Sequence, residues 1–419
     1  MEIARTRYLI AGASHAGLAA LHAIHLADAD GAVTMIGGDE ALPYSPTVLP
    51  YVVSGKSDPA SVFLRDADYF AARRTDYRRG RRLARLDAAR KVAELDDGSA
   101  LGFDKLLLAT GARPKIPPIE GLDAVPFHVL RTLDDAVRLR DGLAAAHHAI
   151  VLGAGLIGMH AAEHMHRAGA RVTLVELQPQ VLPGYFDATA AGMIAQAFEA
   201  AGVTVRTGAR ATRVAAASAG LSMTLDTGES LAGDLLLVGT GASPIMDYLQ
   251  DQAVACDRGI LVDERMRTSA ADVWAAGDVA QGPNFYDAAR VLNGILPDAV
   301  EQGRVAGMAM AGDPGGAAYR GAVPLNTYGF FGRHAICVGS NAEPPGTEVV
   351  VRTDEAAGRY LKIVLDGDRL HGIFAIDTPI DAGIMWELMR RRVDLGPLRA
   401  QFLAEPRDTA RILMSKLWR

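Results

Sequence analysis

The chain has 419 residues, of which 49% are hydrophobic and 22% are charged, a composition typical of a globular protein with two or three domains. Its 43 basic and 49 acidic residues give a net charge of -6 without a basic stripe, which argues against binding to nucleic acid or an anionic membrane. No apolar stretch is long enough to span a bilayer, and the first seven residues lead directly into a predicted strand, so we expect a cytoplasmic protein without a signal peptide.

The first predicted elements form a βαβ unit around a glycine-rich turn. A strand at 8–11 leads into Gly12–Gly17, a helix is predicted through Ala27, and a second strand covers 32–36. Backbone N–H groups at the start of such a helix bind a pyrophosphate. Ser14 departs from the usual middle glycine, but its hydroxyl is compatible with a phosphate cradle. The alternative is a tight turn without a ligand.

A second βαβ unit repeats this order later in the chain. It has a strand at 149–152, the three-glycine turn Gly153–Gly158, a helix and a strand at 171–176. Both copies continue into a polar hairpin, at 91–98 and 221–228, and then into a continuous apolar strand, at 104–111 and 234–241. We therefore expect a duplicated α/β fold that binds two dinucleotides.

The chain changes character after about residue 320, where short alternating segments precede an amphipathic helix at 382–391. This pattern predicts a third, α+β domain, with a linker at 311–316.

Carboxylates near the two turns are candidate ribose ligands. Glu176 lies 23 positions beyond Gly153, where it would accept hydrogen bonds from an adenosine ribose and repel the 2′-phosphate of NADP. The alternative is an exposed glutamate at a strand end. The corresponding position of the first unit is Gly37, so Asp39 or Glu40 must substitute, unless both are solvated loop carboxylates.

Asp278 follows a buried apolar strand and Gly277, where a carboxylate is costly unless it finds donors; the alternative is a helix cap. Cys256 and Cys337 are far apart and lack any metal or redox spacing, so we expect two buried thiols and no metal site.

The order of five motifs resembles that of FAD-dependent pyridine nucleotide-disulfide oxidoreductases, and the resemblance covers the whole chain. The motifs are Gly12–Gly17, Ala109–Pro114, Gly153–Gly158, Gly241–Pro244 and Val273–Asp278. The resemblance implies two Rossmann-like, three-layer domains of glutathione-reductase type and a C-terminal α+β interface domain. The expected division is a discontinuous FAD-binding domain at 1–117 and 242–316, an NAD(H)-binding domain at 118–241, and the interface domain at 317–419. Pro43–Tyr51, Pro324–Tyr328, Phe331–His334 and the Trp418–Arg419 end resemble the flavin subunits of 2-oxoacid oxidoreductase complexes.

That resemblance implies an electron-transfer subunit. Electrons would pass between iron–sulfur clusters of ferredoxin-like partner subunits and NAD+ by hydride transfer at flavin N5, while a thiamine-diphosphate subunit acts on the 2-oxoacid. The alternatives are a freestanding NADH:ferredoxin or rubredoxin reductase, the FAD module of a nitrite reductase, and a non-catalytic scaffold subunit.

The resemblance also implies site residues. Those for FAD are Gly12, Ser14, His15, Gly17, Asp39, Glu40, Thr47, Arg82, Thr110, Gly111, Arg131, Gly277, Asp278 and Ala299. Those for NAD are Gly153, Gly155, Leu156, Ile157, Gly158, Glu176 and Gly241.

No side chain is expected to act as a nucleophile. Thr47 occupies the register of the family's redox cysteine, which excludes thiol–disulfide chemistry there. Tyr51 and His160 replace a lysine and a glutamate on the nicotinamide side. The alternatives for His160 are to orient nicotinamide, to respond to flavin protonation near neutral pH, or to be a packed helix histidine. The run Arg390–Arg392 either docks an acidic iron–sulfur partner or faces solvent.

Overall fold

A computed structural model describes residues 3–250, 253–313, 316 and 318–417. The chain divides into two units: Met1–Leu49, Ser57–Arg113 and Ala242–Ala322 form the first, and Pro50–Lys56, Pro114–Gly241 and Val323–Arg419 form the second. Part of the predicted linker, Pro314 and Gly315, and the Trp418–Arg419 end lie outside the described residues.

The strands are β1 (Ala4–Ala11), β2 (Val33–Gly37), β3 (Thr75–Arg79), β4 (Leu83–Asp87), β5 (Val92–Leu95), β6 (Ala100–Leu108), β7 (Ala112–Pro114), β8 (His148–Leu152), β9 (Arg171–Val175), β10 (Thr204–Arg206), β11 (Ala211–Ala217), β12 (Gly220–Leu225), β13 (Ser230–Gly233), β14 (Leu235–Val238), β15 (Ala242–Pro244), β16 (Ile260–Leu261), β17 (Val273–Ala275), β18 (Ala280–Pro283), β19 (Arg290–Leu292), β20 (Leu325–Phe330), β21 (Arg333–Gly339), β22 (Thr347–Asp354), β23 (Arg359–Asp366) and β24 (Arg369–Ile376). The helices are α1 (His15–Ala27), α2 (Leu49–Val53), α3 (Ala67–Ala71), α4 (Leu133–Leu143), α5 (Leu156–Arg167), α6 (Ala188–Ala201), α7 (Leu296–Ala311), α8 (Ala382–Arg390), α9 (Arg399–Ala404) and α10 (Pro406–Leu417).

The first unit is organised by a sheet in the order β3-β2-β1-β6-β5-β4, with β17 also paired to β6. The strands β3, β2, β1, β6 and β17 are parallel, and the hairpin strands β5 and β4 are antiparallel. Helices α1 and α7 pack closely because Gly303 has no side chain; a Cβ there would overlap the carbonyl oxygen of Ala16.

The second unit has a parallel sheet in the order β10-β9-β8-β14 and an antiparallel sheet β11-β12-β13. All four residues of β14 are buried, as its continuous apolar sequence predicts for a covered parallel strand. The same unit contains an antiparallel sheet in the order β20-β21-β24-β23-β22, followed by α8, α9 and α10.

The two parallel sheets repeat one register. Ala11 pairs with Ile36 in the first, and Leu152 pairs with Val175 in the second, so Gly37 and Glu176 follow equivalent positions. The α/β fold class with two Rossmann-like sheets is therefore confirmed. The predicted helices through Ala27 and at 382–391 are α1 and α8, whereas the predicted strand at 234–241 is shorter and ends at Val238.

Candidate functional site

The first glycine turn joins β1 to α1 along a path that side chains would block. Gly12 has a φ of 125°, which L-residues rarely adopt, and a Cβ there would overlap the carbonyl oxygen of Ala109. A Cβ on Gly17 would overlap the carbonyl oxygen of Gly12. Both glycines therefore permit the close backbone approaches of this turn, and the first N–H groups of α1, which have no acceptor within the helix, are suited to a pyrophosphate.

Ser14 fits the place of the middle glycine. It has extended backbone angles just before α1, is exposed, and makes no capping hydrogen bond with its hydroxyl. At the equivalent position of the second turn, a Cβ on Gly155 would meet no atom within 4 Å. This position is open in both turns, so a serine leaves the cradle intact.

His15 connects the turn to the segment that contains Thr47. The Nε2 atom of its half-buried ring lies 2.9 Å from the Oγ of Ser45, which in turn lies 2.7 Å from the Oγ1 of Thr47. Burial lowers the pKa of His15 below its ordinary value, and the negative charge of Asp278 opposes this effect. The hydroxyl of Thr47 is therefore part of a polar chain that starts in the phosphate turn.

The Gly277–Asp278 turn follows β17 and is held by α7. The backbone N–H of Gly277 donates to the Oε1 of Gln302, at 2.8 Å, and Gln302 is 2% exposed. A Cβ on Gly277 would lie 3.1 Å from the Cβ of Ala16, so this turn and the start of α1 are neighbours. Sequence reasoning missed Gln302, because a glutamine in a helix carries no signal of a contact about 25 residues away.

The loop after β2 holds the two candidate ribose carboxylates. The Oδ2 of Asp39 accepts a hydrogen bond from the hydroxyl of Tyr44 at 2.6 Å. The carboxylate of Glu40 lies against Gly80, where a Cβ would overlap it. At Gly37 itself, a Cβ would lie 2.9 Å from the hydroxyl of Tyr77, so no acidic side chain fits there without a shift.

Thr110 lies just beyond β6 and points its hydroxyl into the first unit. Its Oγ1 donates to the carbonyl oxygen of Ile245 at 3.0 Å and lies 2.9 Å from the hydroxyl of Tyr248, which is 1% exposed. This side chain therefore has a structural role, and the backbone of Thr110 and Gly111 is the part that remains for a ligand.

The other predicted FAD residues are dispersed. The Nε of Arg82 donates to the carbonyl oxygen of Gly38 at 3.3 Å, next to the candidate carboxylates, and Ala299 lies buried in the first turn of α7. Arg131 belongs to the second unit, where its backbone N–H donates to Asp135 ahead of α4.

The second glycine turn reproduces the first. Gly153 has a φ of 103°, and a Cβ there would overlap the carbonyl oxygen of Gly239. A Cβ on Gly158 would overlap the carbonyl oxygen of Gly153. Ile157, in the first turn of α5, is 46% exposed, which leaves an apolar surface beside the cradle.

Glu176 follows β9 and is held by two backbone groups. Its Oε2 accepts a hydrogen bond from the N–H of Ala154 at 2.6 Å, and its Oε1 accepts one from Gln178 at 2.8 Å. The residue is 7% exposed, whereas Leu177 is 56% exposed. The carboxylate is thus fixed directly beside the phosphate turn, with lone pairs remaining for ribose hydroxyls.

Gly241 lies in the chain segment after β14, and its carbonyl oxygen accepts a hydrogen bond from the backbone N–H of Lys115.

Tyr51 and His160 belong to a column of rings in the second unit. Its consecutive members are Tyr51, His164, His160, Tyr328 and Phe330, with centroid separations of 6.0, 6.4, 4.7 and 5.3 Å. Burial lowers the pKa of His160 to about 4, and the charge of His164 adds to this effect. His160 is therefore neutral at physiological pH.

Two polar atoms in this column are buried without a hydrogen-bond partner among the described residues: His164 Nδ1 and Tyr328 Oη. Burial also raises the pKa of Tyr328, so its hydroxyl stays protonated. Tyr328 and His164 were not predicted. The four-residue spacing of His160 and His164 is the one sequence signal that places them on the same face of α5.

The cysteine prediction is half wrong. Cys337 is buried, but Cys256 is exposed, because it lies in a short irregular segment before β16 rather than in an apolar run. Neither cysteine belongs to the Pro43–Tyr51 segment.

The arginines Arg390 and Arg391 both pair with Glu387, which reduces the positive charge that the run Arg390–Arg392 can offer a partner.

Within the described part of the chain, no cluster of three or more histidine, cysteine or acidic side chains has metal-site geometry. The helices of that part are too short or too polar to cross a membrane. The cytoplasmic location stays a prediction.

A family model described as pyridine nucleotide-disulphide oxidoreductase matches residues 6–291. The chain is 56% identical over 418 residues, covering 100% of this chain and 99% of the relative, to the epsilon subunit of NADH-dependent phenylglyoxylate dehydrogenase of Aromatoleum evansii. It is also 30% identical over 394 residues, with 94% and 95% covered, to the ferredoxin–NAD(+) reductase component of the biphenyl dioxygenase system of Paraburkholderia xenovorans (strain LB400).

Among solved structures, the covalent putidaredoxin reductase–putidaredoxin complex contains a similar chain. The TM-score is 0.84 at 26% identity, with 94% of this chain and 95% of that chain covered. The resemblance predicted from segments such as Pro43–Tyr51 and Phe331–His334 is confirmed by the match to the epsilon subunit of phenylglyoxylate dehydrogenase.

Proposed function

The chain belongs to the pyridine nucleotide-disulphide oxidoreductase family, and on this premise we propose that it is the FAD-containing electron-transfer subunit of a 2-oxoacid dehydrogenase complex that acts on phenylglyoxylate. The chain is an oxidoreductase, and the cofactors of its family are FAD and NAD(H). The 56% identity over 418 residues carries the assignment to this complex.

The residues of the first unit fit FAD. Gly12 and Gly17 permit the tight turn whose backbone N–H groups would bind the pyrophosphate, and Gln302 holds the turn that would present Asp278 to a ribityl hydroxyl. The residues of the second unit fit NAD(H), since Glu176 is fixed beside an equivalent cradle. We propose that residues 1–117 with 242–316 hold FAD, that 118–241 hold NAD(H), and that 317–419 form an interface domain.

Held by these residues, FAD would supply two-electron exchange with nicotinamide and one-electron exchange with an iron–sulfur carrier. The protein's own side chains act by position and charge. Glu176 selects NAD(H) by accepting from ribose hydroxyls and repelling a 2′-phosphate. His160 remains neutral, so it can donate or accept a hydrogen bond near nicotinamide without adding charge.

The partners in this proposal are a ferredoxin-like iron–sulfur subunit and a thiamine-diphosphate subunit. The sequence has two cysteines, at positions 256 and 337, without the spacing of cluster ligands, so in this proposal single electrons are exchanged with another protein. Affinity purification of the full chain from its own cells tests this point. We expect the chain to copurify with iron–sulfur and thiamine-dependent subunits. The purified complex should reduce NAD+ when phenylglyoxylate is supplied.

The specific alternative is a freestanding ferredoxin reductase, favoured by the 30% identity to the biphenyl dioxygenase reductase component and the likeness to the putidaredoxin reductase chain. The two functions are separated by the same purification. A chain that is isolated alone and rapidly reduces a soluble ferredoxin with NADH would replace the complex assignment. Anaerobic NADH titration that fails to bleach the flavin would contradict both functions and favour a scaffold role.

A further inference from the structure

His15 is the one titratable side chain in the first glycine turn. It is the first residue of α1, and the first turn of that helix contains no acidic residue. The other residues of Gly12–Gly17 are glycine, alanine and serine. A pyrophosphate at this helix end would therefore find the N–H groups of the backbone and one imidazole within the turn.

The hydrogen bonds of His15 leave one ring nitrogen for a ligand. Its Nε2 is paired with Ser45, whose hydroxyl continues to Thr47. Its Nδ1 makes no hydrogen bond to any residue in the described ranges. The segment from Ser45 to Thr47 presents hydroxyls rather than charges to the ring, and Asp278, from the turn after β17, is the charged group that acts on it.

In the free protein this imidazole is neutral near pH 7, because burial lowers its pKa below the ordinary value of 6.5. The pyrophosphate of FAD is a dianion, and an opposite charge within a few ångströms favours the protonated form of an imidazole. A protonated ring would donate to Ser45 through Nε2 and would have a second donor at Nδ1.

We propose that His15 takes up a proton when FAD binds and supplies the cationic partner of the pyrophosphate in the first turn. The inference rests on the proposed function, since it presumes that the first turn holds FAD. The proton comes from solvent, binds to the ring, and is released when FAD dissociates; no electron is transferred in this step.

This mechanism links FAD affinity to pH with a definite sign. Between the pKa of His15 in the free protein and its higher value in the complex, binding consumes protons, so the affinity weakens as pH rises. For a single group, the dissociation constant increases by at most about tenfold per pH unit. The second turn has Leu156 at the equivalent position, so NAD(H) binding should lack this linkage.

Isothermal titration of the full-length apoprotein with FAD tests the proposal. Titrations between pH 5 and 8, in buffers of different ionisation enthalpy, report the number of protons taken up. For wild-type protein, we expect the number of protons taken up per FAD to peak within this pH range. We also expect the dissociation constant for FAD to rise with pH. His15→Gln keeps a donor for Ser45 but cannot titrate, so its uptake should be close to zero and its affinity nearly independent of pH.

His22→Gln is the matched control, because His22 lies exposed on the same helix, two turns farther along. It should take up the same proton fraction as wild-type protein. The proposal is overturned if wild-type protein binds FAD without proton uptake, or if His15→Gln takes up as much as wild type. Apoprotein that binds no FAD at any pH would instead overturn the proposed function.

Discussion

The two glycine turns share one backbone but have different neighbours. Beside the second turn, Glu176 accepts a hydrogen bond from Ala154; at the equivalent place in the first unit, Gly37 faces the hydroxyl of Tyr77. The first turn begins its helix with His15, and the second begins with Leu156. The shared backbone is suited to any pyrophosphate, so the residues around each turn must determine which dinucleotide binds.

The helices that follow the turns differ in the same way. Counting from the last glycine of each turn, Ala19 of α1 corresponds to His160 of α5. The second helix therefore carries a partly buried imidazole in edge-to-face contact with Tyr328, where the first carries a methyl group. The two helices therefore have equivalent backbones but different side chains. Substitutions made in one unit at a time can separate the roles of the two units.

The largest effect is expected from blocking each turn in a separate variant. Gly12→Ala forces an unfavourable φ and a backbone overlap, with a cost of more than about 3 kcal/mol at the turn, and should yield protein without bound flavin. Gly153→Ala should retain flavin but lose its reduction by NADH. The ratio of flavin to protein absorbance and anaerobic NADH titration measure the two losses. Equal loss of flavin in both variants would contradict the separation of the sites.

Acidification should destabilise the second unit through His160. Its pKa is about 4 in the folded protein and 6.5 when exposed, so the unfolded chain binds protons first and stability is lost as pH falls from 6.5 towards 4. The expected loss is about 3 kcal/mol over this window. Urea unfolding at a series of pH values measures it. His160→Gln should flatten the dependence, and an unchanged slope would assign the acid sensitivity to other groups.

Reversing the charge at Glu176 should reverse nucleotide preference. Glu176→Arg removes the ribose acceptor and introduces a partner for a 2′-phosphate, so the ratio of kcat/KM for NADH to that for NADPH should fall by about 30-fold, or roughly 2 kcal/mol. Glu199→Arg, at an exposed position of α6, has the same change of charge and should leave the ratio unchanged. Retained NADH selectivity in Glu176→Arg would show that another residue contacts the ribose.

The smallest effect is expected from exchanging the middle residues of the turns. Ser14→Gly and Gly155→Ser should each change stability by less than about 0.5 kcal/mol, because both positions are open. Thermal unfolding measures this directly. A loss of several degrees in either variant would reveal a contact made by the serine hydroxyl or a backbone requirement at Gly155.

Much of the fold could be predicted from particular residues. The two turns were indicated by glycines at 12, 17, 153 and 158, each pair placed between an apolar strand and a helical pattern. Such close backbone approaches require glycine at fixed spacings, which can be read from the local sequence. Glu176 was identifiable because its place at the end of a strand follows from the repeat. The apolar strands that close the two units were predicted from the same duplicated pattern.

Residues whose roles depend on distant contacts could not be found in this way. Gln302 reaches the Gly277 turn from a different segment, and Tyr328 meets His160 across more than 160 positions. Cys256 was misjudged because a cysteine carries no periodic signal that distinguishes an exposed irregular segment from a core. The hydrogen-bonded series His15, Ser45 and Thr47 likewise required the path of the loop after β2.

The sequence by itself determined the two cradles, the strand-end glutamate and the absence of a cysteine in the Pro43–Tyr51 segment, because each depends on residues adjacent in the chain or on a repeated spacing. The tertiary structure alone decided which side chains surround those cradles: Ser45 beside His15, Gln302 beneath Gly277, and Tyr328 against His160. The physical reason is that burial, charge and hydrogen bonding at a site come from elements that only folding brings within a few ångströms.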